Sequence, residues 1–382
     1  MRRNGVDARN SGSYFSSSNG KSKRACPLIV DRLASSGNFS DSNFHPSRLP
    51  PHPSKLPGEF DLIARLCAPI RLSSRTILGP GDDCAILSPS RAPILFTIDS
   101  LVENVHFDLR WTPLDALGER ALTVNLSDIA AMGGRPTACV VNLGIRSGIS
   151  ARMLEQIYAG LRKAARGAAT DIVGGNITSA RQLTITIALL GEAGAGVLRR
   201  DAASVGDDIF VTGTLGDADL GWRLLAGKIN ARVSARANSK NYRAAKKFLV
   251  ERFLRPSARL DAGARLAALR PVPAAIDLSD GLMQDLGHLL ERSRVGAEID
   301  ASRVPISSAY RAIAGDDLSH ALGGGEDYEL LFCVGPAHSE TQLTRRLGVA
   351  VHRIGKIVRG RRLKLIGAEA KNAGWDQLRS RS

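Results

Sequence analysis

Short apolar runs along this chain repeatedly end in acids or glycine turns. Gly79-Pro80-Gly81-Asp82-Asp83-Cys84-Ala85 crowds two adjacent carboxylates into a glycine turn ahead of Ile86 and Leu87. Residues 94–98 lead into Asp99, 122–126 into Ser127 and Asp128, and 274–276 into Asp277-Leu278-Ser279-Asp280-Gly281. Gly323-Gly324-Gly325-Glu326-Asp327 repeats the theme before a final apolar run. A Gly-Asp-Asp turn alone is ordinary loop chemistry. Five segments of this kind read as one polyanionic site assembled from element ends. Its hard oxygen ligands suit Mg²⁺, which is usually held by a few carboxylates plus the phosphates of a substrate.

The spacing between these segments predicts strands and helices in turn, hence an α/β (α+β) protein. Residues 113–132 read as a helix, with apolar positions three and four apart and Gly133-Gly134 as its stop. Asn125 and Asp128 share one face of it and are expected to project toward the loop carrying Asp82 and Asp83. A strand at 138–143 and a helix at 151–169 follow. Residues 172–176 read as a strand running into a glycine turn with Asn176 at its tip, and 183–190 as an alternating strand. The glycine-rich stretch 191–196 suggests a domain boundary. Beyond it come a strand at 208–212, a basic stretch at 228–255 whose part 231–245 reads as a solvated loop or helix face, a helix at 282–290, a strand at 329–334 and a closing segment at 365–375. The acids at 277–280 fall at a helix N-terminus, where free backbone N–H groups favour anions.

Three parts are therefore expected: 1–57, a disordered basic extension rich in Ser, Asn, Arg and Pro; 58–195, an N-terminal αβ domain; and 196–382, a C-terminal αβ domain. The net charge of +15 (52 Lys and Arg against 37 Asp and Glu) points on its face to nucleic acid. The basic residues are scattered, and aromatics make up only 5% of the chain, so base stacking lacks material and no nucleic-acid partner is expected. Five cysteines without a CxxC pair suggest neither a zinc site nor a disulfide framework, and a reducing cytoplasm is the simplest setting. No apolar run reaches bilayer-spanning length, so no membrane partner is expected.

GPGDDCAIL, TIDSLVENVHF, NLSDIAAMGGRP, VGGN, GDDIFVTGTLGD, AIDLSDGL, GGGEDYELLF and GWDQL, in this order, resemble the thiamine-monophosphate kinase family of the aminoimidazole ribonucleotide synthetase-like superfamily. The resemblance spans 58–378. It implies a two-domain fold whose N-terminal domain pairs in a homodimer, and γ-phosphoryl transfer from ATP to thiamine monophosphate with Mg²⁺ around the phosphates. No P-loop pattern GxxxxGK[ST] is present, in keeping with that family. Carried over by motif, the metal ligands are Asp83, Thr97, Ile98 (through its carbonyl), Asp99, Asp128, Asn176, Asp277 and Asp280. Asp128 and Asp280 are the catalytic pair, and Asp82 supports its turn. Gly175, Asn176, Arg200 and Ser279 fall at nucleotide positions, while His106, Glu326 and Trp375 fall at positions that hold thiamine monophosphate. Two departures stand out: Asn176 where the family often has Asp, and Ile98 where a hydroxyl is common.

Two other readings stay open at this level. Another ATP-dependent enzyme of the superfamily, such as selenophosphate synthetase or the hydrogenase maturation protein, would carry its chemistry on a terminal cysteine, and the chain ends Leu378-Arg379-Ser380-Arg381-Ser382 without one. A non-catalytic basic nucleotide- or RNA-binding protein would leave the acids unexplained.

Overall fold

The computed structural model describes residues 57–229 and 240–368. Nearly all of the expected extension over 1–57, residues 231–239 of the basic stretch, and Trp375 lie outside the described residues.

Ten α-helices run along the described chain: α1 (Glu59–Cys67), α2 (Leu114–Ala131), α3 (Ala151–Gly167), α4 (Asp217–Leu225), α5 (Lys240–Leu254), α6 (Leu260–Leu266), α7 (Leu282–Ser293), α8 (Ser308–Ala314), α9 (Ser319–Gly323) and α10 (Glu340–Leu347). The strands are β1 (Thr76–Leu78), β2 (Ile86–Leu87), β3 (Ile94–Val102), β4 (Arg135–Ile145), β5 (Asp171–Ser179), β6 (Thr184–Glu192), β7 (Asp208–Thr212), β8 (Ala274–Asp277), β9 (Gly296–Asp300), β10 (Leu330–Val334), β11 (Val351–Val358) and β12 (Leu363–Ile366). They form a four-stranded sheet in the order β3-β6-β4-β5, a six-stranded sheet in the order β12-β9-β11-β7-β10-β8, and a small β1-β2 pair. Pairing is antiparallel except for β4 with β5 and β12 with β9. The first sheet draws only on residues before 193 and the second only on residues after 207.

The two sheets bury their side chains differently. In β6 buried and partly buried residues alternate strictly, the mark of a sheet with one packed face. Every residue of β7, β10 and β8 is buried, so this end of the second sheet is covered on both sides. Between the sheets lies α2, of whose 18 residues 14 are buried. Such a helix belongs to an interior: it packs on β3 and β6 at one side and on β8 and α6 at the other. Gly118 of α2 faces α3, where a Cβ would sit 1.9 Å from the Ile157 carbonyl oxygen, so the two helices touch backbone to backbone. Gly133, at φ +71, ends α2, its N–H bonding to the Ala130 carbonyl and that of Gly134 to Ile129.

Several sequence expectations change here. Asp99 stands in the middle of β3 rather than at its end, because β3 continues for three residues past it. The expected glycine turn at 174–176 is the interior of β5. There Gly175 is required by strand approach, since a Cβ would lie 2.0 Å from the Val141 carbonyl oxygen. From Lys240 onward the basic stretch is the helix α5, which buries Ala245, Leu249 and Phe253, so it is more than a solvated face. Among the described residues no helix is long and apolar enough to cross a membrane.

Candidate active site

Strand parity decides which side chains of β3 meet α2. Thr97, Asp99 and Leu101 point one way and Phe96, Ile98 and Ser100 the other. Thr97 donates its hydroxyl to Asp128 Oδ2 at 2.5 Å, tying β3 to the C-terminal part of α2. One residue earlier on α2, Ser127 donates to Asp277 Oδ2 at 2.6 Å, tying α2 to the end of β8. The two bonds bring acids from both sheets to the rim of one cavity of about 290 Å³, lined among others by Asp99, Asp128, Asp277, Ser279, Asp280, His106 and Glu326.

These carboxylates disturb one another. Burial, then the negative charges of Asp128, Asp277, Glu326 and Asp280, push the Asp99 carboxyl up to about 7. Asp99 is exposed by area, but that area opens onto the cavity and its acids rather than onto bulk water. Burial and Asp128 raise Asp277 to about 6, with the Ser127 bond opposing. Asp128 is raised by burial against the Thr97 bond and the charge of Arg200, and Asp280 by burial against Gln284, His288 and Arg200. Arg200, itself exposed, thus lies close enough to act on three of the acids.

The turn at 277–281 differs from its expected form. Its backbone N–H groups are not open to an anion, because Asp285 Oδ2 accepts from Ser279, Asp280 and Gly281 at 3.0–3.1 Å. That buried carboxyl, pushed up to about 7 chiefly by burial, closes the helix N-terminus from within. Asp277 and Asp280 are presented by a turn held from below.

On the other flank of the cavity, His106 is partly buried, and its Nδ1 accepts from the Val102 N–H at 3.1 Å, which leaves Nε2 as the N–H of the neutral ring. Burial holds its pKa below the usual imidazole value. Sequence reading missed Arg120, 1% exposed, which donates to the His106 carbonyl at 2.8 Å and to Glu326 Oε2 at 2.6 Å. Trp222, Phe253 and Tyr328 complete an apolar wall that sequence reading also missed. One signal was there: an arginine between Leu117 and Ala121 on a helix that is otherwise core.

Asp82, Asp83, Ile98, Gly175 and Asn176 lie elsewhere. They line a second cavity of about 630 Å³ on the opposite face of the four-stranded sheet, with Val140, Asn142 and Ala188. Asn176 Nδ2 donates to Asn142 Oδ1 at 3.1 Å, and Asp82 Oδ1 accepts from the Asp83 N–H at 2.9 Å, supporting its turn. Asn125 does not project toward that loop: it is fully buried, bonding to Ala121 of its own helix. The single site expected from five segments is divided, because β3 sends neighbouring residues through opposite faces and, of these two cavities, β5 lines only the second.

The donor set of the first cavity fits a divalent cation. It is all carboxylate and hydroxyl oxygen, it carries surplus negative charge, and a cation would relieve the raised pKa values. Among the described residues no three His, Cys, Asp or Glu side chains converge closely enough to hold an ion alone.

Residues 81–193 match the family model for the AIR synthase related protein, N-terminal domain, and 204–368 that for its C-terminal domain. Thiamine-monophosphate kinase of Aquifex aeolicus is 33% identical over 322 residues, covering 83% of this chain and 97% of that relative. The crystal structure of thiamine-monophosphate kinase from Stenotrophomonas maltophilia superposes with a TM-score of 0.69 at 36% identity, covering 81% of this chain and 96% of that one. A structure of AaThiL complexed with AMPPCP and TMP superposes at 0.65 with 31% identity, covering 82% and 94%. With the two-domain fold and near-complete coverage of its relatives, this chain belongs to the thiamine-monophosphate kinase family and is a kinase.

Proposed function

We propose that the chain transfers the γ-phosphoryl group of ATP to thiamine monophosphate, giving thiamine diphosphate and ADP, in the cavity bounded by Asp99, Asp128, Asp277 and Asp280. The observation that carries this is the meeting of four acids from β3, α2 and the β8–α7 turn beside His106 and Glu326. A relative complexed with AMPPCP and TMP supports both substrates.

Phosphoryl transfer needs in-line positioning and charge neutralisation, and little covalent work from the protein. Asp99, Asp128, Asp277 and Asp280, with the Thr97 hydroxyl, hold Mg²⁺ in this reading. Bound there, Mg²⁺ neutralises the charge that develops on the transferring phosphoryl oxygens. Asp128 and Asp280 face that charge most directly, Asp128 from the helix between the sheets. Ser279 and Arg200 border the nucleotide, Arg200 as a charged partner for its phosphates. His106, Glu326 and Trp375 hold thiamine monophosphate, Trp375 by stacking on a cationic ring. For Asp83, Ile98, Gly175 and Asn176, the same reading requires the nucleotide and its metal ions to reach the second cavity.

That second cavity opens on a sheet face where Ile94, Phe96 and Ile98 are 61–69% exposed. A contiguous apolar face of this kind supports pairing of two N-terminal domains in a homodimer. A cytoplasmic setting accords with the exposed thiol of Cys84.

The test is an assay with ATP, Mg²⁺ and thiamine monophosphate, following thiamine diphosphate by chromatography, with free thiamine as control acceptor. Product that requires thiamine monophosphate and disappears with EDTA is expected. Turnover of free thiamine alone, or full activity in EDTA, would overturn the reading.

A further inference from the structure

Glu326 is held from three directions. Its turn is fastened to the acid turn by bonds of 2.8 Å from the Glu326 N–H to the Ser279 carbonyl and from the Tyr328 N–H to the Leu278 carbonyl. Both Glu326 and Tyr328 adopt left-handed backbone, at φ +74 and +52, which non-glycine residues rarely do and which surrounding structure must impose. Arg120 Nη2 and the Tyr328 hydroxyl then both donate to one carboxylate oxygen, Oε2, at 2.6 and 3.1 Å. Among the described residues Oε1 has no hydrogen-bond partner, and the side chain borders the cavity.

Arg120 is held just as firmly. Its Nη1 donates to the His106 carbonyl, and its guanidinium lies over the Phe253 ring at 4.2 Å. One buried side chain of α2 therefore joins the His106 segment, the α5 helix and the Glu326 turn, which come from both sheets' halves of the chain. A planar guanidinium fixes direction in a way that a point charge cannot.

We infer that Arg120 is a positioning residue for the acceptor substrate: with Tyr328 it pins Glu326 Oε2, so that Oε1 is presented to the cavity as the acceptor for an amine-bearing or cationic ring system. The inference rests on the reading of Glu326 as a residue that holds thiamine monophosphate, whose aminopyrimidine and thiazolium rings have that chemistry. Arg120 acts through Glu326 and touches no substrate. With two donors already on Oε2, a donor of the ligand is directed to Oε1.

The experiment compares KM for thiamine monophosphate, KM for ATP and kcat in Arg120→Lys, Tyr328→Phe, Glu326→Gln and the double variants of the first two with Glu326→Gln. Arg120→Lys should raise KM for thiamine monophosphate about tenfold and Tyr328→Phe about threefold, with KM for ATP and kcat within about twofold of wild type. Each double variant should match Glu326→Gln alone within about twofold, because residues acting through one carboxylate are not additive. A purely structural ion pair would instead lower the melting temperature while leaving KM for thiamine monophosphate at the wild-type value in Arg120→Lys and Tyr328→Phe. Wild-type KM in both Arg120→Lys and Tyr328→Phe, or additive doubles, would overturn the inference while leaving the kinase reading intact. Wild-type KM in Glu326→Gln would remove the reading beneath it, and the inference with it. Should Arg120→Lys fail to fold, Tyr328→Phe, which deletes one hydroxyl, decides by the same cycle.

Discussion

The two faces of the four-stranded sheet make opposite use of the same strand. Toward α2, β3 presents Thr97 and Asp99 to a cavity whose acids come from both sheets. Away from it, Phe96 and Ile98 stand 69% and 61% exposed beside the Asp82-Asp83 loop. Charge is concentrated where a helix and a second sheet supply opposing acids, and apolar surface is left where none of the described residues covers it. Acidic motifs close in sequence need not share a site, since a strand alternates its side chains between two surfaces.

The sharpest way to break this comparison is Asp128→Asn. If the first cavity carries the chemistry, kcat should fall by about a thousandfold while the melting temperature is kept or raised, because a neutral amide relieves the crowding of acids. Retained turnover in steady-state assays would place the chemistry elsewhere. The exposed face is challenged by Phe96→Asp: if two chains pair through it, sedimentation should show dissociation strengthened by about a hundredfold, and an unchanged oligomeric state would exclude that face as the interface.

Whether the second cavity belongs to the reaction is decided by Asp83→Asn. About a tenfold loss in kcat/KM for ATP is expected if its loop serves the nucleotide. Wild-type kinetics would confine the reaction to the first cavity.

The smallest effect separates the faces by pH. Asp99 and Asp285 titrate at about 7, Asp277 at about 6 and Asp327 at about 8 in the fold, all above the usual carboxyl value. The native state therefore binds more protons than the unfolded chain between that value and about 8, so metal-free stability declines as pH rises through this window. Melting should be higher by a few degrees at about pH 6 than at about pH 8, and Mg²⁺ should raise it more at the higher pH. A pH-independent melting temperature without Mg²⁺ would mean that the acids are not crowded as described.

Much of the site was legible because carboxylates next to glycine turns are rare outside binding chemistry when they recur. Asp99, Asp128, Asp277 and Asp280 come together in the fold as expected of one site. Arg120 was not legible as a partner of Glu326, since the two are 206 residues apart and their pairing depends on how α2 docks against the second sheet's turns. Gly175 was read as a loop residue and is a strand residue, because local glycine content reports backbone freedom and cannot distinguish a turn from a close strand approach. Asp285 passed as an ordinary helix residue, although its carboxylate occupies the N–H groups that sequence reasoning left for an anion.

By itself the sequence determined the alternation of strands and helices, the helical periodicity of α2, and the chemical identity of the site as hard oxygen ligands without a P-loop. These follow from local periodicity and residue type, which the chain carries wherever it folds. Only the tertiary structure decided which acids share a cavity, which face of β3 each neighbour takes, and which buried cation orients Glu326. Those depend on contacts between residues far apart in the chain, where a shift of one residue in strand register sends a side chain to the opposite surface.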